Sequence, residues 1–492
     1  MQWIRIKILP HRIAVTTNYR PYRKEPVHPK PNSDKTWFVL RILKGLHSWI
    51  EVPKEENFVT PGNAIRFLGL NIFIVNKISE IKRIKVRQFE RFPKHRLTLW
   101  TLEPLIGRGI FSVNGEEWQQ QRILIDQAFK VAQLRKVLPQ MRGAVDALLG
   151  RLHRIADGRS VKIDEEMTLV TADVIIRTIL SQPIDSNAGA EIFEAFTNYQ
   201  RRAGRAGILK LFRLNERFLQ RYLGRDAIKI RSWIEDCISE RKKLIANNKD
   251  TEGYQDLLQA MIDAYDPETG YRFNDRDLVD QVCFLFLAGH ETSASSLGMA
   301  TYLLSQFPDV QEQFHQELQS IINMQGKLAK DKEAPFEYDD LKLMSFGSAI
   351  FNETLRLYPP VSFMFHEPTE PSEVLGRRCP LSSLIVISPW VIQRHRDHWQ
   401  RPNTFEPERF LEATSTAEEQ HMGRDAFLPF GMGPRKCPGA AFAMQEALLV
   451  LAEVVRRYEI LPDDLHTPRL VSRLTLRSSN GIRVKLLARN PS

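Results

Sequence analysis

Between Trp118 and about residue 325, apolar residues recur at the spacing of one helix face. The pattern breaks only near Pro183, at Gly204 to Gly207 and across 266–271. A periodic run this long commits the middle of the chain to packed helices. No internal repeat and no Gly/Ser linker divides it, so the helices belong to one body. Strand-like alternation is confined to the two ends. Ala64 to Phe67 and Asn71 to Val75 flank Gly69 and predict a hairpin. Residues 361–395 are Pro-rich and β-like, with 384–387 the clearest strand, and 468–487 alternate again. The expected fold is mainly α with a small β-rich portion (α+β), as a single large domain over 61–492.

Helix ends are marked by proline. One long helix is expected over 275–306, stopping before Pro308, and another over 340–358, stopping at Pro359-Pro360. A last helix is expected over 440–458, after a mostly loop segment at 396–438. Residues 1–60 read as an irregular basic N-terminal arm. Pro10, Pro21, Pro26, Pro29 and Pro31 punctuate it, and a short amphipathic helix is expected over 37–50.

Of the 492 residues 43% are hydrophobic and 26% charged, which is globular and not disordered. Four cysteines at this length exclude a disulfide scaffold and fit a reducing, cytoplasmic setting. No stretch reaches the roughly 18–20 apolar residues that span a bilayer. Arg5 and Lys7 interrupt the start, so neither signal peptide nor transmembrane anchor is expected. The net charge of +10 suits an acidic partner, an acidic substrate or peripheral contact with an anionic membrane. No basic run interleaves with aromatics, so nucleic acid is not an expected partner.

Four constellations carry chemistry. The first runs from Phe430 to Gly439, with Gly431 and Gly433 before Cys437 and Pro438 after it. Pro438 suits a first helical position, which makes Cys437 the N-cap. The helix dipole, Arg435 and Lys436 then favour a thiolate. A metal ligand, a nucleophile and a buried free thiol are all open on these grounds. The second is Ala288-Gly289-His290-Glu291-Thr292-Ser293 within the long helix. Thr292 is expected to donate to the Ala288 carbonyl and open a groove by Gly289. Glu291 and Thr292 then form an acid–alcohol pair beside an apolar wall, or else a solvated patch with a packing glycine. Third, Glu353 and Arg356 share one helix face and can pair, and Arg409 could bind the same carboxylate. Fourth, Trp118 and Arg122 point the same way and could donate to an anion, or be a core tryptophan and a surface arginine.

Taken together and in this order, the four resemble the cytochrome P450 family over about residues 62–487. The resemblance implies haem b held by Cys437 as the proximal thiolate, the ligation known for such haem proteins. It implies that Trp118, Arg122 and Arg435 bind the haem propionates. His366 stands where many relatives have arginine, giving a weaker and pH-dependent contact. Phe430 opens the cysteine loop. Ala288 and Gly289 leave room for dioxygen, Glu291 and Thr292 relay protons, and Glu353, Arg356 and Arg409 are structural. The turn from Arg378 to Ser383 lacks the glycine expected there.

The implied activity is a haem-thiolate monooxygenase that inserts one atom of O2 into a largely hydrophobic fatty-acid-, terpenoid- or steroid-like molecule. No Rossmann fingerprint is present. The resemblance therefore implies separate electron carriers, a ferredoxin or flavodoxin with its NAD(P)H-dependent reductase, drawn to Arg435 and Lys436. Phe111, Phe284, Leu287, Ala288, Val361, Phe363 and Met364 are candidate pocket residues. Arg201, Arg202, Arg205, Lys210, Arg213 and Arg217 form either a carboxylate-capturing or a solvated face. A peroxide-driven haem-thiolate enzyme and a non-catalytic haem- or ligand-binding protein are the alternatives, and neither has a use for Glu291-Thr292.

Overall fold

The helix expected over 275–306 forms as Asp275–Gln306 and is buried along most of its length. Its start is fixed by a reciprocal cap: Asn274 Oδ1 accepts from the Asp277 N–H, and the Asp277 carboxylate accepts from the Asn274 N–H. Pro308 ends it by opening the next helix, Pro308–Met324. The long helix packs most closely along Ile163–Leu180 and also meets Ser345–Leu357 and Ala440–Arg457. The computed structural model describes residues 23–67, 69–185, 187–211, 216–247, 254–324, 335–411 and 423–489.

Two helix boundaries differ from expectation. Asn187–Leu211 runs unbroken through Gly204 and Gly207. Ala203 and Ala206 are buried there, and the adjoining helix Glu216–Ala246 packs against this one. That packing outweighs the ~1 kcal/mol each glycine costs a helix. The helix expected over 340–358 divides into a turn, Tyr338–Leu341, and a helix, Ser345–Leu357. Glu317 sets the later start. Its carboxylate accepts from Ser345 Oγ and from the Phe346 and Gly347 N–H groups at 3.0, 2.7 and 3.0 Å.

The hairpin forms as Gly62–Phe67 and Leu70–Val75, with Gly69 at φ +83° in the turn. Leu384–Ile387 adds in parallel to its second strand, and Met364–His366 completes the four-stranded sheet. The β-like tail joins two separate sheets. Leu470–Ser472 pairs with Leu476–Ser478, while Arg483–Ala488 lies between Asp157–Lys162 and Tyr458–Pro462. In the turn that lacks glycine, Ser382 takes up the left-handed conformation itself, at φ +63°.

Most buried apolar residues form one helical core. A smaller one, with Phe73, Ile81, Ile84, Phe92 and Ile385, lies under the four-stranded sheet. Residues 23–60 are tied to this body. Tyr358 Oη donates to the Val27 carbonyl at 2.7 Å, and Arg23 pairs with Asp309 and Glu408. The amphipathic stretch forms the helix Phe38–His47. Among the described residues no helix is long and apolar enough to cross a membrane.

Candidate functional site

The cysteine loop is built by backbone bonds that its glycines permit. The Cys437 N–H donates to the Phe430 carbonyl at 2.9 Å, and the Lys436 N–H to the Gly433 carbonyl at 3.0 Å. Gly431 and Gly433 both sit at φ +75°. A Cβ on Gly433 would fall 2.1 Å from the Lys85 carbonyl oxygen, so only glycine lets the loop touch that segment. The helix that follows starts at Ala440 with Gly439 as its N-cap, and Cys437 is therefore not the cap. Burial is the main influence on the thiol and pushes its pKa up; the Gly439 N–H, Arg122 and Lys436 oppose it more weakly. The locally argued low-pKa thiolate is thus overridden by desolvation. Protein surrounds the cysteine closely enough to desolvate it, yet the residue keeps accessible surface. A bound metal cation removes the proton from such a thiol outright.

Beside this loop lies a positive cluster. Lys85, Lys94, His366 and Arg435 repel one another, and among the described residues no carboxylate bonds any of them. Glu90 reaches Arg435 only through space. Burial first, and Arg435 second, pull the Lys85 ammonium down to about 8; Lys94 is drawn well below the usual ammonium range for the same reasons. Arg435 donates to the Val113 carbonyl and Asn114 Oδ1, but its buried Nε and Nη1 have no hydrogen-bond partner among the described residues. Its guanidinium lies 4.6 Å from the Trp118 ring, so Trp118 and Arg435 do converge. Arg122 does not join them. It is engaged by Asp126 at 2.8 Å and by the Lys436 carbonyl at 2.5 Å, which ties the cysteine loop to helix Gly115–Ala128.

His366 is in the cluster but does not titrate near neutrality as expected. Burial, then Lys85, drives its pKa well down. Its Nδ1 lies 2.9 Å from the Phe92 carbonyl and its Nε2 3.4 Å from Lys85 Nζ, a pattern that fits Nδ1–H with Nε2 accepting. Lys85 and Lys94 were not legible as site residues. The usable signal was their place among Ile81, Ile84 and Phe92, residues that bury the segment.

On the long helix, Thr292 Oγ1 donates to the Ala288 carbonyl at 2.7 Å, as expected. Glu291, Thr292, Ala288 and Phe284 are half-buried. Gly289 fits the packing alternative. A Cβ there would lie 2.4 Å from Ile175 Cδ1, so the glycine serves the crossing with Ile163–Leu180. His290 is buried, with Nδ1 by the Phe286 carbonyl.

Phe111 and Phe284 stack with centroids 5.4 Å apart, and Lys94 Nζ sits 4.0 Å from the Phe111 ring. Val361, Phe363 and Met364 keep accessible surface, whereas Leu287 is core. Arg201 and Arg205 are exposed and Arg202 pairs with Asp226. Arg213 and the side chains of Lys210 and Arg217 lie outside the described residues.

Glu353, Arg356 and Arg409 form the expected buried cluster. Arg356 grips the Glu353 carboxylate at 2.6 and 2.7 Å, and Arg409 reaches it at 3.1 Å. Arg356 also donates to the carbonyls of Gln393, Pro402 and Thr404, which pins the loop to this helix.

An accessible thiol and a buried cation cluster with orphaned donors form the donor set for a metal macrocycle bearing two carboxylates. Iron protoporphyrin fits it. The cytochrome P450 family model matches residues 55–486. Cyclooctatin synthase of Streptomyces melanosporofaciens is 31% identical over 73% of this chain and 74% of its own length. Pentalenene oxygenase of Streptomyces avermitilis is 29% identical over 79% and 81%. Cytochrome P450 4X1 of Mus musculus is 28% identical over 80% and 78%. In fold, the chain is similar to the cytochrome P450DA heme domain, with TM-score 0.74 and 22% identity over 88% and 90% of the two chains. The chain belongs to the cytochrome P450 family, monooxygenases whose cofactor is haem b.

Proposed function

We propose that this monooxygenase oxidises a fatty-acid-, terpenoid- or steroid-like molecule, with electrons from a ferredoxin or flavodoxin and its NAD(P)H-dependent reductase. The observation that carries the reading is Cys437, held on a backbone-bonded loop and accessible there, beside the buried cations Lys85, Lys94 and Arg435. When bound, haem supplies the redox chemistry that splits O2 and places one oxygen atom in a C–H bond.

The chain's residues do the rest. Cys437 ligates the iron, and the Phe430 carbonyl fixes its backbone. Trp118 and the cations Arg435, Lys85 and Lys94 would hold the propionates, whose charge offsets theirs, and His366 would back Lys85 in that place. Arg122, bonded to the Lys436 carbonyl, anchors the cysteine loop and would add its charge on the propionate side. Ala288 presents the small side chain of the cleft wall. Thr292 holds and passes a proton at Oγ1, and Glu291 at its carboxylate. The half-buried Phe111, Phe284, Phe363 and Met364, with the exposed Val361, present apolar surface that favours an apolar ligand. The relatives named for cyclooctatin and pentalenene favour a terpenoid. Residues 1–60 are taken as an accessory arm on a haem domain over 61–492, in a soluble protein of the cytoplasm.

The test is the spectrum of dithionite-reduced protein under carbon monoxide. The expected result is a strongly red-shifted Soret band that Cys437→Ser abolishes. An unshifted band in the wild type would overturn thiolate ligation. Binding of dodecanoic acid and of a sesquiterpene, read from the ferric Soret shift, separates the substrate classes.

A further inference from the structure

The segment 105–113 lies against three helices, and side chains from all three hold its backbone. Asp280 of the long helix is 1% exposed. Its Oδ2 accepts from the Arg108 N–H at 2.8 Å, and its Oδ1 forms an ion pair with the Arg231 guanidinium of helix Glu216–Ala246 at 2.6 Å. Arg231 also donates to the Leu105 carbonyl at 2.9 Å. The next residue of the long helix repeats the pattern. Gln281 Oε1 accepts from the Ile110 N–H at 3.1 Å, and its Nε2 donates to Gln121 Oε1 at 2.7 Å. Gln121, on helix Gly115–Ala128, donates to the Arg108 carbonyl at 2.9 Å. A buried carboxylate persists only where such partners hold it, so segment and carboxylate keep each other in place.

Gly107 makes the contact possible. It sits at φ +49°, and a Cβ on it would fall 2.2 Å from Asp280 Oδ1. The backbone wraps the carboxylate only because that atom is missing. What the segment carries is Phe111, stacked on Phe284 with centroids 5.4 Å apart. Phe284 is one helical turn beyond Asp280, so ring and carboxylate meet the segment from one face of the long helix. Past this point the chain turns to the cation cluster. The Phe111 carbonyl accepts from Lys94 and the Val113 carbonyl from Arg435, at 2.9 and 3.0 Å. The cations thus fix one end of the segment, and the Asp280–Arg231 pair fixes the other.

We propose that Asp280 and Arg231 are positioning residues that latch the segment 105–113 and so set the pocket wall formed by Phe111. The pair touches no ligand itself. It decides whether a bulky, rigid ligand meets a fixed ring or a displaced one. The inference rests on the reading of Phe111 as a pocket residue.

The test titrates the ferric, haem-loaded full chain with imidazole and with 4-phenylimidazole, read from the Soret shift. Imidazole is small enough to reach the iron clear of Phe111, whereas the added phenyl ring needs the wall. Asp280→Ala should weaken 4-phenylimidazole about tenfold, the scale of one aromatic contact, and leave imidazole within about twofold. The Arg231 side chain, 20% exposed, can then turn to solvent, so no buried charge is stranded. Gly107→Ala attacks the same contact from the other side with both charges kept, and should show the same split. In a Phe111→Ala background, Asp280→Ala should add no further loss. Where Asp280→Ala does not retain haem, Gly107→Ala decides. Equal weakening of both ligands, unchanged or tighter binding of the larger one, or losses that add to that of Phe111→Ala overturn the proposal. Phe111→Ala alone separates the two readings. If it binds 4-phenylimidazole as the wild type does, Phe111 is no wall and the pocket reading falls together with the latch. If it loses affinity while Asp280→Ala and Gly107→Ala do not, only the latch falls.

Discussion

Gly289→Ala distinguishes a glycine that clears the cleft from one that lets two helices touch. The added methyl carbon would lie 2.4 Å from Ile175 Cδ1 and 3.1 Å from Ile175 Cγ1. Relaxed carbon contacts lie near ~3.5–4.0 Å, so one side must move. Ile175 is 4% exposed and has little room. Overpacking of this kind costs about 1–3 kcal/mol. Alanine in place of glycine inside a helix returns about 1 kcal/mol. The net expectation is a loss of about 0–2 kcal/mol, too small a figure to interpret alone.

The informative quantity is the coupling with Ile175→Val. That change deletes Cδ1 and by itself costs about 0.5–1.5 kcal/mol. In the double variant the new methyl enters the space that Cδ1 leaves. The pair should then be at least as stable as the wild type, with a coupling of about 1–3 kcal/mol. Denaturant unfolding of all four proteins, followed by tryptophan fluorescence, measures it. Carbon monoxide association with the reduced protein is the companion assay, and Gly289→Ala should leave it within about twofold, since ~0.4 kcal/mol covers that factor. Additive stabilities, together with a carbon monoxide rate that Ile175→Val does not restore, would refute the packing argument.

Three further outcomes follow from the same geometry. Glu353→Ala strands the buried Arg356 and should cost about 3–5 kcal/mol, read as loss of soluble haem-loaded protein, whereas Glu353→Gln should lose less. Ser382→Gly relieves a left-handed backbone at φ +63° and should be neutral or stabilising by up to about 1 kcal/mol, measured by thermal unfolding. Lys85→Met should speed transfer of haem to an acceptor protein about tenfold, the value of one charge-assisted hydrogen bond at about 1.5 kcal/mol. Lys85 has a lowered pKa of about 8, so its charge is present below that pH and is lost above it. Wild-type haem retention should therefore weaken as pH rises at or above 8, and the Lys85→Met protein should show no such step.

The parts of the site that the sequence made legible are those whose physics is local. Glu353 and Arg356 are neighbours on one helix turn, and their pairing needs only the 3.6 period. Thr292 reaches the Ala288 carbonyl by the same geometry. Gly431 and Gly433 announce a loop that ordinary residues cannot trace. The long helix carries its own start signal in Asn274 and Asp277.

Local reasoning went astray where tertiary burial decides the charge. The dipole argument for Cys437 named Lys436 rightly, but the second cation acting on the thiol is Arg122 and not Arg435, and desolvation exceeds both and reverses the sign. His366 was read as a neutral-pH group, yet Lys85 approaches it from a distant segment. Glu446 interrupts the apolar run of its helix, and a surface position is the default for such a residue. Its burial depends on the long helix and Ser293, whose sequence position carries no mark of the contact. The three cases share one cause. Whether a charge is solvated is a property of what packs over it, and that covering comes from elements that sequence spacing does not relate. A buried polar residue without a local partner is therefore the feature that sequence spacing is least able to foretell.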